Sequence, residues 1–252
     1  MSVPVALQLY TVRDQTAKDF AGTVRKVAKM GYGGIELAGT GDLSAAQMAD
    51  LLADTGLQVA GSHVQIELFR DSLDEVIRYY AAIGARFVGI PYLQNEWRSI
   101  EGYRNVAKLM NSAGKALKDA GISLYYHNHD FEFSDLGGGM RGMDILWNET
   151  DPAVAAFELD CYWAVHAGYD PSKIIADHAG RYPLIHLKDM VGTGDERTFA
   201  EVGEGTIDWE PVFKASEAQG AAWYIVEQDR CARPTLESAQ LSIANLKRWG
   251  KG

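Results

Sequence analysis

The chain has 252 residues, of which 47% are hydrophobic and 23% charged, with 34 Asp+Glu against 24 Lys+Arg and a formal net charge of −10. This is globular composition with enough chain for a sizeable core, which excludes fibrous and disordered classes, and the acidic balance opposes generic nucleic-acid or anionic-membrane binding. Two cysteines, Cys161 and Cys231, cannot form a disulfide framework, and no stretch reads as a signal peptide or a membrane span, so a reduced, cytoplasmic protein is expected.

Short apolar or β-branched runs alternate with longer segments of helical period along the whole chain. Val3–Leu9 reads as a strand and Ala17–Met30 as a helix stopped at Gly31. Gly34–Leu37 is followed by Ser44–Thr55, where Ser44 suits the N-cap. Next come Gln58–Ser62 with Leu73–Ile83, Phe87–Pro91 with Ser99–Ala120, and Ser123–His127 with Met143–Glu149. The last three pairs are Ala155–Leu159 with Ser172–Ala179, Leu184–Leu187 with Trp209–Gln219, and Trp223–Glu227 with Leu236–Trp249. Eight strand–helix pairs without a linker predict an α/β fold, a single-domain (β/α)8 TIM barrel over residues 1–252. An open doubly wound sheet fits less well, because Gln8-Leu9-Tyr10-Thr11-Val12-Arg13 follows the first strand where a G-x-G-x-x-G loop is expected.

In such a barrel, chemistry gathers at the C-terminal strand ends. The polar residues there are Gln8, Glu36, His63, Tyr92, the His127-Asn128-His129 cluster, Asp160, His186 and Glu227. A set weighted to Glu, Asp and His is the donor set of a divalent metal. Asp160, His186 and Glu227 end consecutive strands and are expected to converge on one ion. Taken singly, each has a plainer alternative: a turn cap for Asp160, a core histidine for His186, a pairing with Arg181 or Arg230 for Glu227. His127 and His129 share one side of their strand by the period of two, so one or both should face the pocket. The glycine-bearing segment 192–205 suits a mobile cover.

LQLYTVR (Leu7–Arg13), GIELAG (Gly34–Gly39), YHNHDFEF (Tyr126–Phe133), FELDCYWAVHAG (Phe157–Gly168), HLKDM (His186–Met190), EVGEGTIDW (Glu201–Trp209) and YIVEQD (Tyr224–Asp229), taken in order, resemble the xylose isomerase-like TIM-barrel superfamily of sugar (phosphate) isomerases and epimerases. The resemblance runs nearly end to end. It implies one divalent metal (Mn, Zn, Co or Mg) held by a Glu, an Asp, a His and a second Glu. Asp160, His186 and Glu227 match the last three. The first place falls nearest His127. Glu132 is favoured as the carboxylate there, because HNHDFEF moves the acid downstream. If a histidine takes that place instead, the site has two carboxylates and two imidazoles and leans toward Zn, Co or Mn over Mg. The likeness extends to endonuclease IV-type barrels, but Trp163 stands where they carry a metal-binding histidine, and six histidines in an acidic chain do not suit a DNA-repair nuclease.

The resemblance implies a metal-polarised carbonyl, removal of the neighbouring proton and an enediolate. Glu227 is expected as ligand and base, with His127 or His129 as the opposing acid/base. Lys188 is expected on a substrate oxygen, or else paired with Asp189. Gln8, Glu36, His63 and Trp163 are expected on the substrate, a sugar or keto-sugar with no phosphate clamp in sight. Epimerisation, isomerisation and elimination from a 3-keto-sugar or 3-keto-glycoside share this intermediate. A non-catalytic sugar-binding barrel is the remaining alternative, and a homodimer is plausible on the resemblance alone.

Overall fold

Strands buried on both faces and helices apolar along one stripe have one stable arrangement in strict alternation: a sheet wrapped by helices. In the computed structural model, which describes residues 2–252, the strands are β1 (Val5–Gln8), β2 (Gly34–Ala38), β3 (Gln58–His63), β4 (Phe87–Ile90), β5 (Ser123–His127), β6 (Ala155–Asp160), β7 (Leu184–Leu187), β8 (Asp189–Val191), β9 (Thr198–Ala200) and β10 (Trp223–Val226). A closed parallel barrel runs β1-β10-β7-β6-β5-β4-β3-β2, and β8 pairs antiparallel with β9 as a separate hairpin. This is the predicted single (β/α)8 barrel. No helix among the described residues is long and apolar enough to cross a membrane.

The helices begin and end where local chemistry directs. Asp19 accepts from the Gly22 N–H and opens Phe20–Met30, and Gly31 closes it at φ 92°. Ser44 and Gln47 exchange hydrogen bonds as a capping box on Ala45–Thr55. Ser99 caps the long helix Ile100–Asp119. The main core lies between strands and helices, while a smaller cluster of Ala6, Ala60, Tyr125, Leu184, Trp223 and Ile225 fills the barrel itself. Two glycines make room there. A Cβ on Gly89 would stand 2.2 Å from the Tyr125 ring, and one on Gly61 2.5 Å from Glu36 Oε1. Their bare backbones let Tyr125 and Glu36 reach across the barrel axis.

The predicted periods missed short elements. Ile66–Asp71 and Cys161–His166 are extra helices of six residues each, too brief to show a periodic stripe. The 192–205 segment is no featureless loop. Its first part completes the β8–β9 hairpin, and its return is fixed by Asp189, whose carboxylate accepts from the N–H groups of Gly203, Gly205 and Ile207 and from Trp209 Nε1. Both cysteines are free.

Candidate metal centre

Side chains along a strand alternate between barrel and helix layer, so residues 125 and 127, 158 and 160, and 223, 225 and 227 fall into inward sets. Register then sets their heights. His127 pairs with Glu158, and Asp160 with His186. The result is a group of buried donors, His127, Asp160, His186 and Glu227, whose ligand atoms all lie within 4.8 Å of one another. Above it opens a cavity of about 1170 Å³. Its walls include His63, His127, His129, Trp163, Phe199 and Glu227.

The two oxygens of Asp160 have different tasks. Oδ1 accepts from the Trp163 N–H at 2.9 Å and caps Cys161–His166, while Oδ2 is left to the Lys188 ammonium at 2.8 Å. The cap thus uses one oxygen and leaves the other facing the donor group. Asn128, the residue after β5, steadies Asp160 by accepting from its N–H at 3.0 Å. Glu227 has its partners in His186 Nδ1 at 3.1 Å and Lys188 Nζ at 2.8 Å, not in Arg181 or Arg230. Two buried carboxylates and two imidazoles, all within 4.8 Å of one another, form a donor set that fits one divalent cation.

Lys188 is fully buried, and its ammonium lies 2.8 Å from Asp160 Oδ2 and 3.2 Å from Asp229 Oδ2 as well as beside Glu227. Asp189 faces the other way and is not its partner. Burial opposes the charge on Lys188, but the three carboxylates hold it protonated far above the usual lysine range. In return, Lys188 and then His186 overcome the burial of Glu227 and keep it ionised.

Beneath the donor group lies a hydrogen-bonded floor. Gln8 Nε2 donates to Glu36 Oε2 at 2.6 Å, and Tyr125 donates to the other Glu36 oxygen. Burial disfavours the Glu36 charge, but the His63 and His186 imidazoles hold its carboxyl down at about 2. Gln8 and Glu36 are completely buried, and neither lines the cavity. The expectation that they touch substrate is corrected: they brace His63 and His186 from below. His63 and Trp163 do line the cavity.

The expectation for Glu132 is also corrected. The chain turns after β5, and the carboxylate folds back under that turn. It accepts from Tyr126 Oη at 2.6 Å and from the His129 N–H at 2.7 Å. It is not among the clustered donors, and His127 stands beside Asp160, His186 and Glu227 instead. Burial pushes the Glu132 carboxyl up from 4.5 to about 7. Between these values the unfolded chain ionises while the folded chain keeps its proton, so this residue lowers stability as pH rises through that window, by about 3 kcal/mol once both states are ionised. Glu132→Gln can keep both contacts without a charge. Urea denaturation should show its advantage over the parent growing from about pH 5 to about pH 8. An advantage that stays constant across this range would refute the assignment.

His127 and His129 take different stations. His127 joins the donors, whereas His129 stands at the cavity wall among Tyr92, Phe131 and Trp163. Burial, and then the Lys188 charge, lower its imidazole to about 3. Phe199 on the β8–β9 hairpin stacks on Tyr162 at 4.4 Å, continuing this aromatic wall. Sequence reasoning overlooked Glu158 and Asp229. Glu158 lies two residues before Asp160, so the period of two already placed it on the inward face.

The family model of the xylose isomerase-like TIM barrel matches residues 24–249. Among curated proteins, the chain is similar to the inosose dehydratase of Clostridium beijerinckii, 27% identical over 149 residues, covering 52% of this chain and 48% of that one. The chain thus spans about half the length of the curated relatives it matches. Among solved structures, it is similar to a sugar phosphate isomerase/epimerase from Parabacteroides distasonis, with TM-score 0.83, 24% identity, and coverage of 98% of this chain and 94% of that one. It is also similar in fold to an L-ribulose 3-epimerase, with TM-score 0.76, 16% identity, and coverage of 98% and 94%.

Proposed function

The chain belongs to the xylose isomerase-like TIM barrel family, and on that premise we propose that it is a divalent-metal-dependent enzyme that removes the proton beside a carbonyl of a sugar or keto-sugar, as an isomerase or epimerase. The observation that carries this reading is the buried convergence of His127, Asp160, His186 and Glu227 under an open cavity. These four residues would hold the ion, and two imidazoles with two carboxylates favour Mn, Co or Zn over Mg. A bound divalent cation supplies Lewis-acid polarisation of the substrate carbonyl and an adjoining hydroxyl, which acidifies the neighbouring C–H.

The chain's own groups do the rest. Glu227, ionised and at the cavity wall, accepts the proton from carbon. Lys188, buried behind Asp160 and Glu227 and not itself on the cavity wall, brings a positive charge to the side where the enediolate oxygen becomes negative. His129 faces the same cavity as a neutral imidazole that can hydrogen-bond a substrate hydroxyl. Trp163 and Phe199 offer apolar faces to a sugar ring and shield the site from water. A small-molecule sugar or keto-sugar is the expected partner.

A second reading, elimination of a group from the β carbon, is favoured by one observation: several curated relatives carry the name of a dehydratase. Both readings begin with the same proton transfer. Incubation in deuterated water with keto and aldo sugars, inosose and 3-keto-glucosides separates them. Epimerase or isomerase action puts solvent deuterium on the carbon beside the carbonyl of a product that keeps all its oxygens. Elimination releases water or an aglycone. Substrate binding with no exchange and no product, in protein loaded with Mn, Co or Zn, would instead support a sugar-binding barrel and end both enzymatic readings.

A further inference from the structure

One carboxylate oxygen below the donor group meets three imidazoles. Glu158 Oε2 lies 2.9 Å from His127 Nδ1, 3.0 Å from His63 Nε2 and 3.1 Å from His186 Nε2. Two nitrogens have a second acidic neighbour, since Glu36 Oε2 lies 2.7 Å from His186 Nε2 and 3.4 Å from His63 Nε2. A ring nitrogen this close to a carboxylate oxygen carries a hydrogen, because two lone pairs would repel. Hydrogens are therefore on His127 Nδ1, His63 Nε2 and His186 Nε2, and by the same rule on His186 Nδ1, 3.1 Å from Glu227 Oε2. His63 Nδ1 is left to accept from Gln8 Nε2 at 3.2 Å.

The opposite edges of two of these rings face upward. His127 Nε2 is the nitrogen on the side of Asp160 Oδ2, at 3.8 Å, and His186 Nδ1 faces Glu227 Oε2 at 3.1 Å. A cation needs a lone pair at each nitrogen: His127 Nε2 offers one with its proton held on the far side, whereas His186 Nδ1 offers one only when a cation takes the place of its proton.

We infer that Glu158 is a positioning residue: its Oε2 holds the rear N–H of His127 and so aims His127 Nε2 at the cation, while the rear N–H of His186 goes to Glu36. This rests on the metal-dependent reading above. The close hydrogen-bond distances make the Glu158 layer a floor, although its donors are also near enough together to hold an ion themselves.

The test uses Glu158→Gln in the full chain. A glutamine amide can present an N–H to His127 Nδ1, which would move the ring proton to Nε2, toward the cation site. Long-range proton–nitrogen spectra of the metal-free parent should show His127 as the Nδ1–H tautomer, and the variant should show Nε2–H. Affinity for Mn or Zn by calorimetry should fall about 10- to 100-fold in the variant. An Nε2–H tautomer in the parent overturns the proposal without any use of the variant. So does a variant that keeps both the parent's tautomer and its affinity. Two cations per parent chain, one of them lost with Glu158→Gln, would make Glu158 a ligand and not a positioning residue. A parent that binds no cation at all removes the metal-dependent reading, and with it this proposal, whatever the His127 tautomer.

Discussion

Asp160→Asn should leave the barrel folded, remove tight cation binding, and reduce turnover by about 1000-fold, the equivalent of roughly 4 kcal/mol of lost Lewis-acid stabilisation. The reason lies in the division of labour between the two oxygens. The cap needs an acceptor facing the Trp163 N–H, and the asparagine carbonyl supplies it. That orientation turns the amide NH2 toward the place where Oδ2 stood, so a donor replaces a ligand. Asp160→Ala loses the ligand and the cap together and should unfold at a lower denaturant concentration by about a further 1 kcal/mol. Metal analysis and denaturant titration of the two variants separate the roles. An Asn variant that retains the ion and the rate would remove Asp160 from the site.

Lys188→Met should tighten cation binding by about tenfold or more while lowering turnover by about 100- to 1000-fold. The ammonium and a cation are both positive and share the same two oxygens, Asp160 Oδ2 and Glu227 Oε2. Removing the ammonium leaves Asp160, Glu227 and Asp229 buried or half-buried with one counter-charge fewer. The metal-free variant should lose about 3–5 kcal/mol of stability, and added cation should restore more of it than it adds to the parent. Turnover falls because the positive charge meant for the developing oxyanion is gone. Weaker cation binding with unchanged turnover would show that Lys188 serves neither role.

Much of the fold was legible because its two periods are written in the sequence. Ser123–His127 has the same bounds in the sequence reading and in the structure, and Ser44 and Gly31 end helices as their chemistry directs. Short pieces were not legible. Cys161–His166 follows β6 without a break, and the β8–β9 strands are three residues each, so no window is long enough for a period to emerge. Their positions come from tertiary contacts such as the Asp189 clasp.

The site divides in the same way. Asp160, His186 and Glu227 end strands, and adjacent register brings them together. Glu132 misled because distance along the chain cannot show that a turn after β5 closes on its own carboxylate. Gln8 and Glu36 misled for another reason. A strand-end position fixes which way a side chain points, but the depth of Glu36 depends on the bare backbone of Gly61 in the neighbouring strand, and Gln8 follows it through their hydrogen bond. Glu158 was within reach of the period-two rule applied one step back from Asp160.

The most direct test of the account is anomalous diffraction from crystals grown with Mn or Zn. One peak should appear, bound by His127 Nε2, Asp160 Oδ2, His186 Nδ1 and Glu227, with Lys188 displaced from between the two carboxylates and Glu132 still on Tyr126 and the His129 N–H. No peak at saturating cation, or a peak held by other residues, would contradict it.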